Sequence, residues 1–165
     1  MLEEDKNTCW RVSKEDWRKN KDYQAWQEKY DEMLAQTDTS NAPWTVVEAM
    51  DKKYAICKIF TTIVRRLEIA IESVEKGTTV WETVPDIFED DLRSGVLKGV
   101  DLSLSLQPEE YKKKRKELQK KLAALHNQMF LERVPVILAF EGWDAGGKGG
   151  AIKRLTQCID PRGYE

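Results

Sequence analysis

The sequence is poor in the residues that metal centres and disulfide frameworks require. Its three cysteines, Cys9, Cys57 and Cys158, stand far apart with no C-x-x-C pair, and His126 is the sole histidine. A zinc site is not expected from that set, and sparse, odd-numbered thiols suit a reducing cytosol. The start lacks a secretory pattern, and nowhere is there a run of about 18 apolar residues. A cytoplasmic setting without a membrane partner is the expectation. An excess of one charge is missing too: 34% of residues are charged, yet the formal net charge is −2. Such a balance exerts no bulk pull on nucleic acid, so none is expected as a partner. Internal repeats and low-complexity tracts are also absent.

What remains is material for an ordinary domain core, with 41% apolar residues. Ser13, with Asp16 three positions on, reads as the N-cap of a helix reaching about Gln36. Thr37 to Asn41 is a loop by composition, and Trp44 to Val47 is a short run of strand formers. Asp51 starts a long amphipathic helix that stops at Gly77, and this helix over 51–76 is a candidate dimerisation element of a homo-oligomer. Residues 77–108 hold several glycines and prolines and the acidic cluster Glu89-Asp90-Asp91. They read as a linker, partly ordered where apolar residues alternate from Val100 to Leu106. A further helix follows Pro108, with Tyr111, Leu118, Leu122, Leu125 and Met129 on its apolar face, and after Pro135 the run Val136 to Phe140 has the look of a buried strand.

Three further features bear on function. The run Lys112-Lys113-Lys114-Arg115-Lys116 reads as a solvated face rather than a polyanion site, because Glu109, Glu110 and Glu117 dilute it. Trp10, Trp17, Trp26 and Trp44 read as packing residues rather than a base-stacking platform. His126 lies among leucines and is assigned no catalytic role.

The chemistry is concentrated at Gly142-Trp143-Asp144-Ala145-Gly146-Gly147-Lys148. Gly142-x-x-x-x-Gly147-Lys148 is the Walker A spacing, with an apolar strand feeding in and Ala151, Ile152 and Leu155 leaving at helical spacing. Glycines let backbone N–H groups close on phosphate oxygens, and the next helix aims its positive end at the same anion. Lys148 adds a charge on a flexible stem. Most such loops continue with Ser or Thr for Mg2+; here Gly149 and Gly150 follow, so a metal would need another ligand, and Asp144 is the carboxylate within the loop, its alternative role being a turn residue with a local backbone bond.

Phe140-Glu141-Gly142-x-Asp144-Ala145-Gly146-Gly147-Lys148-Gly149-Gly150-x-Ile152-x-Arg154-Leu155, then Asp160-Pro161-Arg162-Gly163, resembles the opening of the polyphosphate kinase 2 family. Trp10-Arg11-Val12-Ser13-x-x-Asp16-Trp17, Ala42-Pro43-Trp44-x-Val46-Val47 and Asp51-Lys52-Lys53 are similar to the closing part of the same family's domain. The resemblance implies a P-loop kinase-like α/β fold, a three-layer α/β/α sandwich, helix-rich in this segment. It also implies the junction of a tandem protein: a first domain's tail over 1–76, a linker over 77–108, and a second domain's head over 109–165.

By that resemblance the reaction moves a phosphoryl group from inorganic polyphosphate to a nucleotide, AMP giving ADP. Asp144 and Lys148 are the catalytic candidates, and Asp144 is the Mg2+ ligand. Gly142, Ala145, Gly146, Gly147, Lys148, Gly149, Gly150 and Arg162 form the phosphate-binding set, with Arg154 as an added candidate. The family's middle parts are not in these residues, so little or no turnover is expected from this piece alone. Two alternatives stay open: a noncatalytic helical interaction module with a vestigial loop, and a nucleoside monophosphate kinase of thymidylate kinase type. The Gly149-Gly150 pair argues against the latter, which usually continues with Thr or Ser.

Overall fold

The computed structural model describes residues 13–39, 42–77, 96–143 and 146–164. Six α-helices follow one another among them: α1 (Lys14–Lys21), α2 (Tyr23–Thr37), α3 (Lys52–Glu75), α4 (Val96–Gly99), α5 (Pro108–Leu131) and α6 (Lys148–Thr156). A short 3-10 helix, Pro161–Gly163, comes last. Among the described residues no helix is long and apolar enough to cross a membrane. Packing divides the chain into two compact units, residues 1–39 with 90–99 and residues 40–89 with 100–165.

In the first unit, Ser13 caps α1 as expected. Its hydroxyl accepts from the Asp16 N–H at 3.2 Å, and the Asp16 carboxylate accepts from the Ser13 N–H at 2.7 Å. That reciprocal box satisfies two donors the helix would leave orphaned. The helix expected to run to about Gln36 is interrupted for one residue at Asp22, with hydrogen bonding continuing on both sides. The Leu97 N–H donates to Asp31 Oδ1 at 3.1 Å, tying α4 to α2. Trp17 and Trp26 were expected to pack in a core or an interface; at 54% and 37% exposed, neither is a core residue of this unit. Within this unit only Leu34 is buried among the described residues, which leaves these rings little apolar surface to cover them. Trp10 and the Glu89-Asp90-Asp91 cluster lie outside the described residues.

The second unit is built on α3 and α5. Asp51 caps α3, its Oδ1 accepting from the Lys53 and Tyr54 N–H groups, both at 2.8 Å. Gly77, at φ +66°, terminates it in the left-handed conformation that glycine adopts without a Cβ penalty. Ile56, Phe60, Ile63, Val64 and Leu67 of α3 form a core with Leu122 of α5 and Leu155 of α6. Ile59, Tyr111, Leu118, Leu125 and Met129 border it. The recurrence at three and four residues gives each helix one apolar stripe, and burying two stripes against each other is the main stabilising term.

Three contacts fix the direction of this pair. Lys53 Nζ donates to the carbonyl of Leu106, just before α5, at 3.3 Å; Lys121 pairs with Glu68 at 3.6 Å; Gln128 Nε2 donates to Glu75 Oε1 at 2.9 Å. Each joins positions 53 apart, so α3 and α5 run parallel. A parallel pair cannot be closed by a tight turn. With its 24 residues α3 is roughly 36 Å long, farther than a tight turn can span.

Neither expected strand is present among the described residues, which are helical or irregular. Residues 44–47 are irregular; just after them Glu48 forms an ion pair of 2.9 Å with Lys58 of α3, with side chains only 12% and 11% exposed. Val100 to Leu106 forms no strand either; the Asp101 carboxylate instead accepts from the Ser103 N–H and hydroxyl. Residues 136–140 lack a ladder because no second strand lies beside them among the described residues, and a strand needs a neighbour for its N–H and C=O groups. The α/β architecture expected from the sequence is thus not formed by the described residues.

Candidate functional site

The chain enters the glycine loop from the end of α5. There the Val134 N–H donates to the Met129 carbonyl at 3.0 Å and Arg133 takes the left-handed conformation at φ +56°. That is a Schellman closure with arginine where glycine is usual, and Pro135 then prevents further helix. Residues 136–140 run on to the loop; Ile137 is 94% exposed, whereas Phe140 packs against the core.

Gly142 and Gly147 both have positive φ, +147° and +89°. Gly147 is the N-cap of α6, and its carbonyl accepts from the Ala151 N–H at 3.0 Å. Gly146 donates its N–H to the Trp143 carbonyl at 3.1 Å, and a Cβ at position 146 would sit 2.9 Å from that same oxygen. A side chain at 146 would therefore break the bond that closes the loop. Gly149 and Gly150 follow Lys148 in the first turn of α6 and place no side chains of their own there, where free N–H groups and the helix dipole favour an anion.

Lys148 does not point outward. Its Nζ donates to the carbonyls of Gly142 at 2.6 Å and Trp143 at 2.9 Å. The ammonium thus straps the loop across its mouth, holding the charge within the segment that would wrap a phosphate. Asp144 and Ala145 lie outside the described residues. Among the described residues no group of three or more His, Cys, Asp or Glu side chains is arranged to hold a metal.

The two arginines predicted as phosphate contacts are both engaged locally. Arg154 donates from Nη1 to the Gly150 carbonyl, one turn back in α6, at 2.7 Å. Arg162 forms a two-pronged pair with Asp160: Nε to Oδ1 at 3.0 Å and Nη2 to Oδ2 at 2.7 Å. The same carboxylate accepts from the Arg162 backbone N–H at 2.9 Å, and the Gly163 N–H donates to the Asp160 carbonyl, also at 2.9 Å. The Arg162 side chain and then its backbone N–H hold the Asp160 carboxyl well below the usual carboxylate range. The structure brings Lys148 together with Gly142, Gly146 and Gly147. No hydrogen bond joins Arg162 to this loop among the described residues.

The basic run on α5 is a solvated face, as expected, with one exception. Lys112, Lys113, Lys114 and Lys116 are exposed, while Arg115 turns inward, its guanidinium 5.2 Å from the centre of the Tyr111 ring. Cys57 and Cys158 are free thiols, both pushed up by burial.

Two residues were not anticipated. Gln119 Nε2 donates to the Arg154 carbonyl at 3.3 Å, linking α5 to the exit of α6. His126 is buried, 6% exposed, against Gly163. Its isolation among leucines argued against catalysis, and the glycine of the D-P-R-G motif was the unused signal for a partner.

Comparison with known proteins places this loop in context. The Polyphosphate kinase 2 family description matches residues 2–75 and 105–165. A polyphosphate:AMP phosphotransferase of Pseudomonas aeruginosa is 32% identical over 163 residues, 99% of this chain and 33% of that protein. One from Pseudomonas syringae is 30% identical over 163 residues, 99% of this chain and 32% of that protein. One from Acinetobacter johnsonii is 31% identical over 152 residues, 91% and 28% of the two chains. The chain spans about a third of the length of these curated relatives. No solved structure matches it. With both segments on either side of the 76–104 gap matching one description, the chain belongs to the polyphosphate kinase 2 family.

Proposed function

We propose that this sequence serves transfer of a terminal phosphoryl group from inorganic polyphosphate to a nucleotide, AMP giving ADP, in the cytoplasm. The observation that carries the reading is the glycine loop: Lys148 at the head of α6, beneath two positive-φ glycines, in Walker A spacing. The names of the relatives matched along nearly the whole chain, polyphosphate:AMP phosphotransferases, support polyphosphate as donor and AMP as acceptor. In this reading Gly142, Ala145, Gly146, Gly147, Gly149 and Gly150 turn backbone N–H groups to phosphate oxygens. Lys148 leaves the carbonyls of Gly142 and Trp143 for the same oxygens, and Arg162 meets a further phosphate.

Phosphoryl transfer asks the protein mainly for positioning and charge neutralisation, and these groups offer both. Asp144 is the carboxylate within the loop. Mg2+ at phosphate sites is commonly held by one or two carboxylates together with water and the phosphates themselves, so this donor set fits. When bound, the metal supplies charge neutralisation on the group transferred.

The family match in two segments supports a tandem arrangement, with 1–76 from one domain, 77–108 between, and 109–165 opening a second. The α/β/α sandwich belongs to that reading, with residues 136–140 as a strand of its sheet. Measuring polyphosphate-dependent ADP formation from AMP tests it. The 165-residue chain alone is expected to bind tripolyphosphate yet turn over little or not at all, and substantial turnover would overturn the junction reading. One observation favours a second reading, a noncatalytic module with a vestigial loop: Lys148 is already spent on its own loop. Tripolyphosphate binding unchanged in Lys148→Ala would favour that module.

A further inference from the structure

Gly163 ends the D-P-R-G turn, yet its backbone makes no demand for glycine, since its φ lies outside the left-handed region. The demand is spatial. A Cβ on Gly163 would lie 2.5 Å from Nε2 of His126 and closer still to Cε1, inside any distance real atoms tolerate. His126 is itself buried on α5, at 6% exposed, where a ring hemmed in by packed neighbours has little room to swing aside. The two residues therefore share one van der Waals surface, the imidazole against a bare Cα.

That surface bears on Arg162 through a short chain of bonds. Gly163 is tied back to the Asp160 carbonyl, and the Asp160 carboxylate grips the Arg162 backbone N–H, Nε and Nη2. The grip uses two of the five guanidinium donors; the Arg162 side chain is 89% exposed, which leaves the rest turned to solvent. A guanidinium oriented in this way can donate to a phosphate oxygen without first breaking its own pair.

We propose that His126 is a positioning residue for Arg162: its buried ring is the floor on which the D-P-R-G turn rests, and it sets where the free guanidinium donors point. This rests on the polyphosphate reading, in which Arg162 contacts phosphate. Glycine at 163 and histidine at 126 are then one feature, and a change at either is felt at the other.

The test is a double-mutant cycle on the 165-residue chain: wild type, Gly163→Ala, His126→Ala and the pair, with His126→Gln as a less disruptive partner. Two quantities are read: the tripolyphosphate dissociation constant by titration calorimetry, and the Arg162 Nε–H resonance by NMR. Gly163→Ala is expected to weaken binding roughly tenfold, the effect of a clash toward the low end of the overpacking range, and to move the Arg162 resonance. Removing the ring in the same chain should restore binding to within about threefold of the His126 single variant, because the clash goes with it. Additive effects, or a Gly163→Ala chain that binds as wild type, would overturn the proposal. So would a change in melting temperature with an unmoved Arg162 resonance, which is what a merely structural contact gives. If wild type does not bind tripolyphosphate, the polyphosphate reading fails, while the resonance still decides whether His126 orients Arg162.

Discussion

Replacing Lys148 by alanine should weaken tripolyphosphate binding about fivefold, far less than a phosphate-loop lysine would ordinarily suggest. An ammonium about 4 Å from a phosphate charge contributes roughly 4 kcal/mol at the effective dielectric of a partly exposed site. Taken alone, that figure forecasts nearly a thousandfold loss, at about 1.4 kcal/mol per decade. The free chain, however, already uses this ammonium on the carbonyls of Gly142 and Trp143, at 2.6 and 2.9 Å. Two charge-assisted hydrogen bonds at about 1.5 kcal/mol each must be given up before a phosphate is gripped, which leaves a net of about 1 kcal/mol. Calorimetric titration of both proteins with tripolyphosphate at low and at physiological ionic strength measures the difference, and added salt should shrink it further. A loss above a hundredfold would show that the strap across the loop is not the resting state. A change below twofold would show that Lys148 never reaches the phosphate, and would remove the main support for the enzyme reading.

Three other outcomes are expected. Gly147→Ala places a Cβ at φ +89°, costing about 1–2 kcal/mol in a urea melt and weakening tripolyphosphate binding along with it; a neutral effect would mean the loop is not held in this form. Phe60→Ala empties the centre of the α3–α5 core, where Phe60 is 1% exposed, and should cost about 3–5 kcal/mol by urea denaturation; less than about 1 kcal/mol would contradict the packing. Asp160, held below its ordinary value by Arg162, contributes stability that is complete above that ordinary value of 3.8 and is lost only as pH falls through the lower folded value. The Arg162 Nε–H resonance should therefore keep its paired position at about pH 3, where an unperturbed aspartate would be mostly protonated. Loss of that position between about pH 4 and 5 would refute the pair.

Local grammar was legible where a residue's effect stays within one turn of chain. Ser13, Asp51, Gly77 and Pro108 mark helix ends in the sequence, and each does so in the structure. The apolar stripes of α3 and α5 were legible for the same reason, since a period of 3.6 residues is a property of one helix. Their parallel register was not, because it depends on which faces meet and on ion pairs such as Lys121 with Glu68, formed by positions 53 apart. Strand character at 136–140 was read from composition, but a strand is a relation between two segments, and composition reports on one. At the site, the positive-φ glycines 142 and 147 and the lysine were legible from spacing. The inward turn of Lys148 was not, since its choice between phosphate and carbonyl depends on what is bound.

The unread contacts converge on α5. Gln119 holds the carbonyl of Arg154 and His126 lies against Gly163. These two α5 residues are one heptad apart, about 10.5 Å along the helix and on nearly the same face. Their partners advance in the same sense, from 154 to 163, so the exit of α6 and the D-P-R-G turn lie along α5 in its own direction. One rigid helix therefore sets the spacing between the helix that carries Lys148 and the turn that carries Arg162. The same helix is anchored to α3 through Leu122 and the residues around it, which relates the Phe60 core to the loop. Loosening that core by Phe60→Ala should then blur the geometry at Arg162 before the chain unfolds. A Phe60→Ala chain that is destabilised yet keeps an unchanged Arg162 Nε–H resonance below its melting range would show that the turn is held by local bonds alone.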